Sequence, residues 1–225
     1  ILLCNDLYFK YPYQSSWLIS DLNFGIPDGQ VIGLIGKNGT GKSTLLFILA
    51  GLLKPQKGKV FLKNKEIYKM SFKELSQNVG IVFQNPFHQL FCETIEEELI
   101  FGLKNIGLKK SEIENRIEYV KKYFNLPDLH TDPNVLSFGW KKILSIALVV
   151  SMKPRIMLFD EPDLGLDPYY QHKIVSIIRK LNDEGIAMLV TGHDIPMMEK
   201  ITDNLLCLKN GQLYRYKDYE NCFRY

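Results

Sequence analysis

The chain has 225 residues, 46% of them hydrophobic, and a formal net charge of +3. That length supports one α/β domain with a substantial core, and so small a charge, without a Lys/Arg run, argues against a nucleic-acid partner. No apolar stretch approaches the ~20 residues of a membrane-spanning helix, Ile1 opens without a basic, apolar leader, and Cys4, Cys92, Cys207 and Cys222 lack metal or disulfide spacing, so the expectation is a soluble or peripheral protein of a reducing interior.

Residues 1–30 alternate apolar and polar around Leu7-Tyr8-Phe9 and Trp17-Leu18-Ile19 and turn at Pro27-Asp28-Gly29-Gln30, which predicts antiparallel strands. Val31-Ile32-Gly33-Leu34-Ile35 reads as a buried strand and Leu45-Leu46-Phe47-Ile48-Leu49-Ala50 as the start of an apolar helix. Gly58-Lys59-Val60-Phe61-Leu62 adds to the antiparallel sheet, and Val79-Gly80-Ile81-Val82-Phe83 is a short strand ending in Gln84-Asn85-Pro86. From Glu93 to about Phe124 the pattern is helical, with Thr94-Ile95-Glu96-Glu97-Glu98 as a helix start carrying acids in its first turn. Ile156-Met157-Leu158-Phe159 and Ile186-Ala187-Met188-Leu189-Val190 have the length of buried parallel strands and alternate with helices. The predicted fold is one α/β domain over 1–225: a mostly parallel core sheet flanked by helices, an antiparallel β edge at about 1–30 and 58–67, and a helical insertion at about 85–150.

Between the buried strand and the apolar helix lies Gly36-Lys37-Asn38-Gly39-Thr40-Gly41-Lys42-Ser43-Thr44, which fits the phosphate-loop pattern G-x-x-x-x-G-K-[ST]. Its glycines let the backbone turn tightly and aim N–H groups at the β- and γ-phosphates of a nucleoside triphosphate. The helix N-terminus adds partial positive charge, Lys42 a full one, and the Ser43 hydroxyl suits Mg²⁺. Asp160-Glu161, directly after a buried strand, places two carboxylates at the sheet edge where ligands gather. Asp160 is suited to Mg²⁺, directly or through water, and Glu161 to polarising an attacking water. Gln84 ends another strand, where its amide either contacts Mg²⁺ or that water, or merely caps a loop. His193, at a third strand end, is either structural or a γ-phosphate contact.

Taken in order, the phosphate loop, Gln84, Leu136-Ser137-Phe138-Gly139-Trp140, Asp160-Glu161, Gly165-Leu166-Asp167 and His193 resemble the ATP-binding cassette (ABC) ATPases over essentially the whole chain. The resemblance implies a P-loop NTPase core and two cassettes packed head to tail. Each ATP then lies between one chain's loop and the other's signature segment. It also implies Tyr11 stacked on adenine, Glu161 as catalytic base, His193 on the γ-phosphate, Ser137 and Gly139 serving the partner's nucleotide, and Asp163 to Asp167 crossing the interface. Val82-Phe83-Gln84-Asn85-Pro86, Gln89-Leu90-Phe91 and Thr94-Ile95-Glu96-Glu97-Glu98 more narrowly resemble the ATPases of energy-coupling factor (ECF) importers and related cobalt and nickel systems. That implies ATP and Mg²⁺ as cofactors, import of a vitamin or transition-metal ion, and a location on the inner face of the cell membrane. It also implies a separate membrane substrate-binding subunit and a transmembrane coupling protein docked near Phe87, Leu90 and Phe91, the alternative being that these aromatic and apolar residues fill the insertion's core.

One segment departs from the family pattern. The signature Leu-Ser-Gly-Gly-Gln here reads Leu136-Ser137-Phe138-Gly139-Trp140. Phe138 restricts the backbone and Trp140 replaces a polar side chain with a large ring. The expectation is a heterodimer with unequal ATP sites. A weakly hydrolysing regulatory subunit and a soluble non-transport ABC ATPase are the alternatives.

Overall fold

The computed structural model describes residues 2–202 and 204–218. Strands β1 (Leu2–Phe9) and β2 (Ile19–Ile26) pair antiparallel, after which β3 (Val31–Ile35) runs through the glycine loop into α1 (Lys42–Leu49). Strands β4 (Lys57–Leu62) and β5 (Lys65–Glu66) complete a first sheet of order β2-β1-β4-β5. The short α2 (Phe72–Ser76) and β6 (Val79–Val82) precede three helices, α3 (Ile95–Asn105), α4 (Lys110–Phe124) and α5 (Phe138–Ser151). Then follow β7 (Ile156–Phe159), α6 (Pro168–Asp183), β8 (Ala187–Gly192), α7 (Ile195–Ile201), β9 (Asn204–Lys209) and β10 (Gln212–Arg215). The second sheet has the order β10-β9-β3-β8-β7-β6 and is parallel except for the β9–β10 hairpin.

The central strands read as unbroken apolar runs because both faces of this sheet are covered. Successive side chains alternate between two cores. Val31 and Ile35 of β3, with Met188 and Val190 of β8, join the core containing α3 to α6. Ile32 and Leu34, with Ala187 and Leu189, face α1 and the antiparallel sheet. The helix starts follow the sequence signals: Thr94, Ser137, Asp167 and Asp194 each accept an N–H three residues on. Such a cap contributes roughly 1 kcal/mol.

Parallel strands share a direction, so β3, β6, β7 and β8 end at one edge. Four separate stretches, beginning at Gly36, Phe83, Asp160 and His193, therefore meet there. One expectation fails at the opposite end of the chain. Cys207 is disulfide-bonded, a pairing that the spacing of the four cysteines does not signal, whereas Cys4 and Cys92 are free. Burial pushes the Cys4 thiol up to about 12, so it behaves as a small apolar core residue.

Candidate functional site

A cleft of about 510 Å³ opens at this edge, a size suited to a nucleotide, and Asn38, Gly39, Gly41, Lys42, Ser43 and Thr44 of the loop line it. Gly41 has φ 104°, a conformation L side chains rarely adopt, and a Cβ on Gly36 would lie 2.6 Å from the Leu208 carbonyl oxygen. Thr40 turns its hydroxyl inward and donates to the Lys37 carbonyl at 2.9 Å, bracing the loop from inside. Tyr11 stands at the rim, its ring edge-to-face with Phe9 and its hydroxyl 3.1 Å from Thr44 Oγ1. At 38% exposure, it retains open aromatic surface of the kind on which a base can stack.

At the cleft floor, three side chains converge on Glu161. Its Oε1 lies 3.3 Å from Lys42 Nζ and 2.6 Å from His193 Nε2, and its Oε2 accepts from Gln84 Nε2 at 2.7 Å. So short a nitrogen–oxygen contact requires the His193 Nε2 proton to point at Glu161. The 3.2 Å approach of Lys42 Nζ to the same nitrogen is therefore a contact, not a donated bond. Lys42 donates instead to the Gly36 carbonyl at 2.9 Å. Below the cleft floor, buried Asp160 accepts from Ser43 Oγ at 3.0 Å and from Thr191 Oγ1 at 2.9 Å. Burial raises the Asp160 pKa, and these two hydrogen bonds oppose the rise.

The donor set fits a magnesium ion. Ser43 and Asp160 supply hard oxygen ligands at one point, and Mg²⁺ in phosphate sites needs only one or two protein oxygens beside the phosphates. Among the described residues no cluster of three His, Cys, Asp or Glu is found. Gln84 has its amide N–H on Glu161, which leaves its carbonyl oxygen as the atom able to meet a metal.

Ser137 and Gly139 lie elsewhere. The Ser137 hydroxyl caps α5 by accepting from Trp140 N–H at 3.3 Å and is 3.2 Å from the Tyr170 hydroxyl. A Cβ on Gly139 would sit 2.4 Å from the Tyr170 ring, and Lys173 Nζ lies 4.3 Å from the Trp140 ring centroid. Phe138 packs over Gly165, where an added Cβ would be 3.2 Å from its ring.

The expected docking set needs correction. Leu90 is only 9% exposed and belongs to the helical core, because the 3-10 turn begun by Pro86 points it inward. Phe87 is exposed, with Lys141 Nζ 4.6 Å above its ring, and is not among the residues lining the groove at Phe91. Phe91 does line a groove of about 210 Å³, with Phe72, Phe101, Leu148, Met152 and Glu98. Sequence reasoning also missed Gln14 and Leu18 on the cleft wall, Thr191 and Lys142 behind it, and Tyr170 beside the signature segment. Only Thr191, beside His193, carried a positional signal.

The chain is similar to known proteins in sequence and fold. The protein-family model described as ABC transporter matches residues 19–164. The energy-coupling factor transporter ATP-binding protein EcfA of Methanocaldococcus jannaschii is 36% identical over 218 residues, 96% of this chain and 78% of that protein. EcfA of Methanococcus maripaludis is likewise 36% identical over 96% of this chain and 78% of its own length. Among solved structures, cbiO1 from Clostridium perfringens, part of the ABC transporter complex cbiONQ, matches with a TM-score of 0.85 and 32% identity, over 98% of this chain and 90% of that one. The ATP-binding cassette MJ0796, in a dimeric post-hydrolysis state with ADP and Pi, matches with a TM-score of 0.83 and 26% identity, over 96% and 97% of the two chains. The chain therefore belongs to the ABC transporter ATPase family.

Proposed function

We propose that this chain is the ATP-hydrolysing subunit of an ECF-type importer, working on the cytoplasmic face of a membrane as one half of a heterodimer. The observation that carries the chemistry is the convergence of Lys42, His193 and Gln84 on the Glu161 carboxylate. ATP lies with its adenine on Tyr11 and its phosphates in the loop from Gly36 to Thr44, and Lys42 moves from Glu161 to the γ-phosphate. Glu161 then takes a proton from the attacking water, Gln84 orients that water, and His193 holds both Glu161 and the phosphate in place. Ser43 and Asp160 would hold a magnesium ion, which would supply positive charge to offset that of the phosphates. The rate enhancement comes from positioning and fixed charge rather than covalent chemistry.

The transport assignment draws on the relatives, whose names place them in energy-coupling factor and cbiONQ transporters. Among the described residues no helix is long and apolar enough to cross a membrane, so membrane contact falls to partner chains. The groove at Phe91 and Phe101 receives a helix of a transmembrane coupling protein, and a separate membrane subunit binds the vitamin or metal ion. The crowding of Ser137 and Gly139 by Tyr170, and of Gly165 by Phe138, supports unequal sites: this chain's signature serves its partner's nucleotide poorly. Purifying the chain with the products of neighbouring genes tests the assembly. Co-elution with a membrane scaffold and a second, different cassette is expected; elution as an active homodimer without membrane subunits contradicts it.

A further inference from the structure

Lys142 lies two residues beyond Trp140, on the second turn of α5, and is wholly buried at 0% exposure. Its neighbours along the helix, Ile143 to Val150, are almost all apolar, so an alkyl side chain would be the expected occupant. Burying an ammonium is costly unless it makes a specific hydrogen bond. Lys142 Nζ makes one, donating to the backbone carbonyl of Glu161 at 3.1 Å.

The Glu161 backbone has φ 42°, in the left-handed region where a non-glycine residue is strained. Three contacts hold it there. Its N–H donates to Thr191 Oγ1 at 2.9 Å, and its carbonyl accepts both Lys142 Nζ and the Leu164 N–H, the latter at 3.2 Å. That conformation turns the carboxylate back toward Lys42, Gln84 and His193. The bond to Leu164 closes the turn that opens the Asp163 to Asp167 loop. One ammonium thus touches the junction of strand β7, the Glu161 backbone and the loop that follows, while its own helix begins with the signature segment.

We infer that Lys142 is a positioning residue: it fixes the backbone conformation that aims the Glu161 carboxylate, and so ties the helix carrying the signature segment to the chain's own hydrolytic site. The inference rests on the reading of Glu161 as the base. Movement of α5 when the partner's nucleotide engages Ser137 is transmitted through Lys142 to Glu161, giving two ATP sites a direct mechanical link within one chain.

The test compares Lys142→Met and Lys142→Arg in the full-length protein, purified with the subunits that accompany it, with Glu161→Gln as control. MgATP affinity is read separately with a fluorescent ATP analogue. Lys142→Met should lower kcat at least tenfold with MgATP affinity within twofold of the parent, and Lys142→Arg, which keeps a donor, should recover most of the loss. Hydrolysis by Lys142→Met within twofold of the parent, beside an inactive Glu161→Gln, overturns the inference alone. So does a joint loss of kcat and MgATP affinity, or an arginine variant no better than methionine, since either marks a merely structural lysine. Full activity in Glu161→Gln overturns the base assignment instead. If Lys142→Met is insoluble, Lys142→Gln is read against the same thresholds.

Discussion

The phosphate loop and the signature segment are both glycine-bearing stretches at the start of a helix, yet they meet their surroundings in opposite ways. The loop from Gly36 to Thr44 opens into the cleft, and the side chains facing it from three other strand ends are aimed at the same point. Leu136 to Trp140 is turned toward its own helix α6, with Ser137 against Tyr170, Gly139 beneath the Tyr170 ring and Trp140 beside Lys173. A phosphate site needs donors at a helix N-terminus together with room for phosphate at the backbone. The loop has both. The signature keeps its helix start but sets aromatic rings beside it, which is the basis for proposing that it forms the weaker site.

Perturbing the loop should therefore cost far more than perturbing the signature. Lys42→Ala removes the charge that a γ-phosphate would meet, and ATP hydrolysis should fall about 10²–10³-fold, the usual loss for one preorganised donor; an assay of phosphate release reads it. His193→Ala should lower kcat by about 10–10²-fold with little change in MgATP affinity, because it removes a group that positions Glu161. A loss of binding equal to the loss of rate would instead make His193 part of the ground-state site.

The link between the two regions has a pH signature. Burial pushes the Lys142 pKa down to about 8, against the opposing pull of Asp163, Asp160 and Glu161. The unfolded chain then holds the Lys142 proton more tightly than the folded one, and between about pH 8 and 10.5 the folded state gains stability as pH rises. Urea titrations of the parent and Lys142→Met should therefore diverge over that window in the parent's favour, by at most about 3 kcal/mol. A constant difference across it would mean that Lys142 is not titrating there.

On the signature side, the double change Phe138→Gly and Trp140→Gln should raise turnover of the complex only about 3–10-fold, by opening the second site toward the partner's nucleotide. Tyr170→Phe removes one exposed hydroxyl contact to Ser137, and its effect on turnover should stay within about twofold. If Tyr170→Phe did as much as the double change, the hydroxyl and not the crowding would be what limits the segment.

What the sequence made legible was what is local. The phosphate loop, the strand-end acids and the helix caps are contiguous patterns with a direct physical meaning, and the strands and helices carrying them lie where apolar periodicity puts them. Contacts created by folding were not legible. No local pattern marks Lys142 as interior, yet α5 packs so closely on β6 that a Cβ on Gly80 would lie 2.3 Å from Val149, and Lys142 is wholly buried. Tyr170 reads as one of two adjacent tyrosines, and only the return of α6 beneath the signature gives its ring a role. Leu90 reads as part of an aromatic groove because nothing local reveals that a Pro86 turn swings it into the core.

In the proposed assembly this chain's own loop and Glu161 form the working site, while its signature segment completes a weaker one. The most direct measurement is steady-state ATPase activity of the assembled complex with Glu161→Gln in this chain, set beside the equivalent glutamate-to-glutamine change in the second cassette. Glu161→Gln should cost at least about 10²-fold, in the range expected of a general base, and the partner's change less than about threefold, if the two sites are unequal in this way. Equal losses from the two would contradict it.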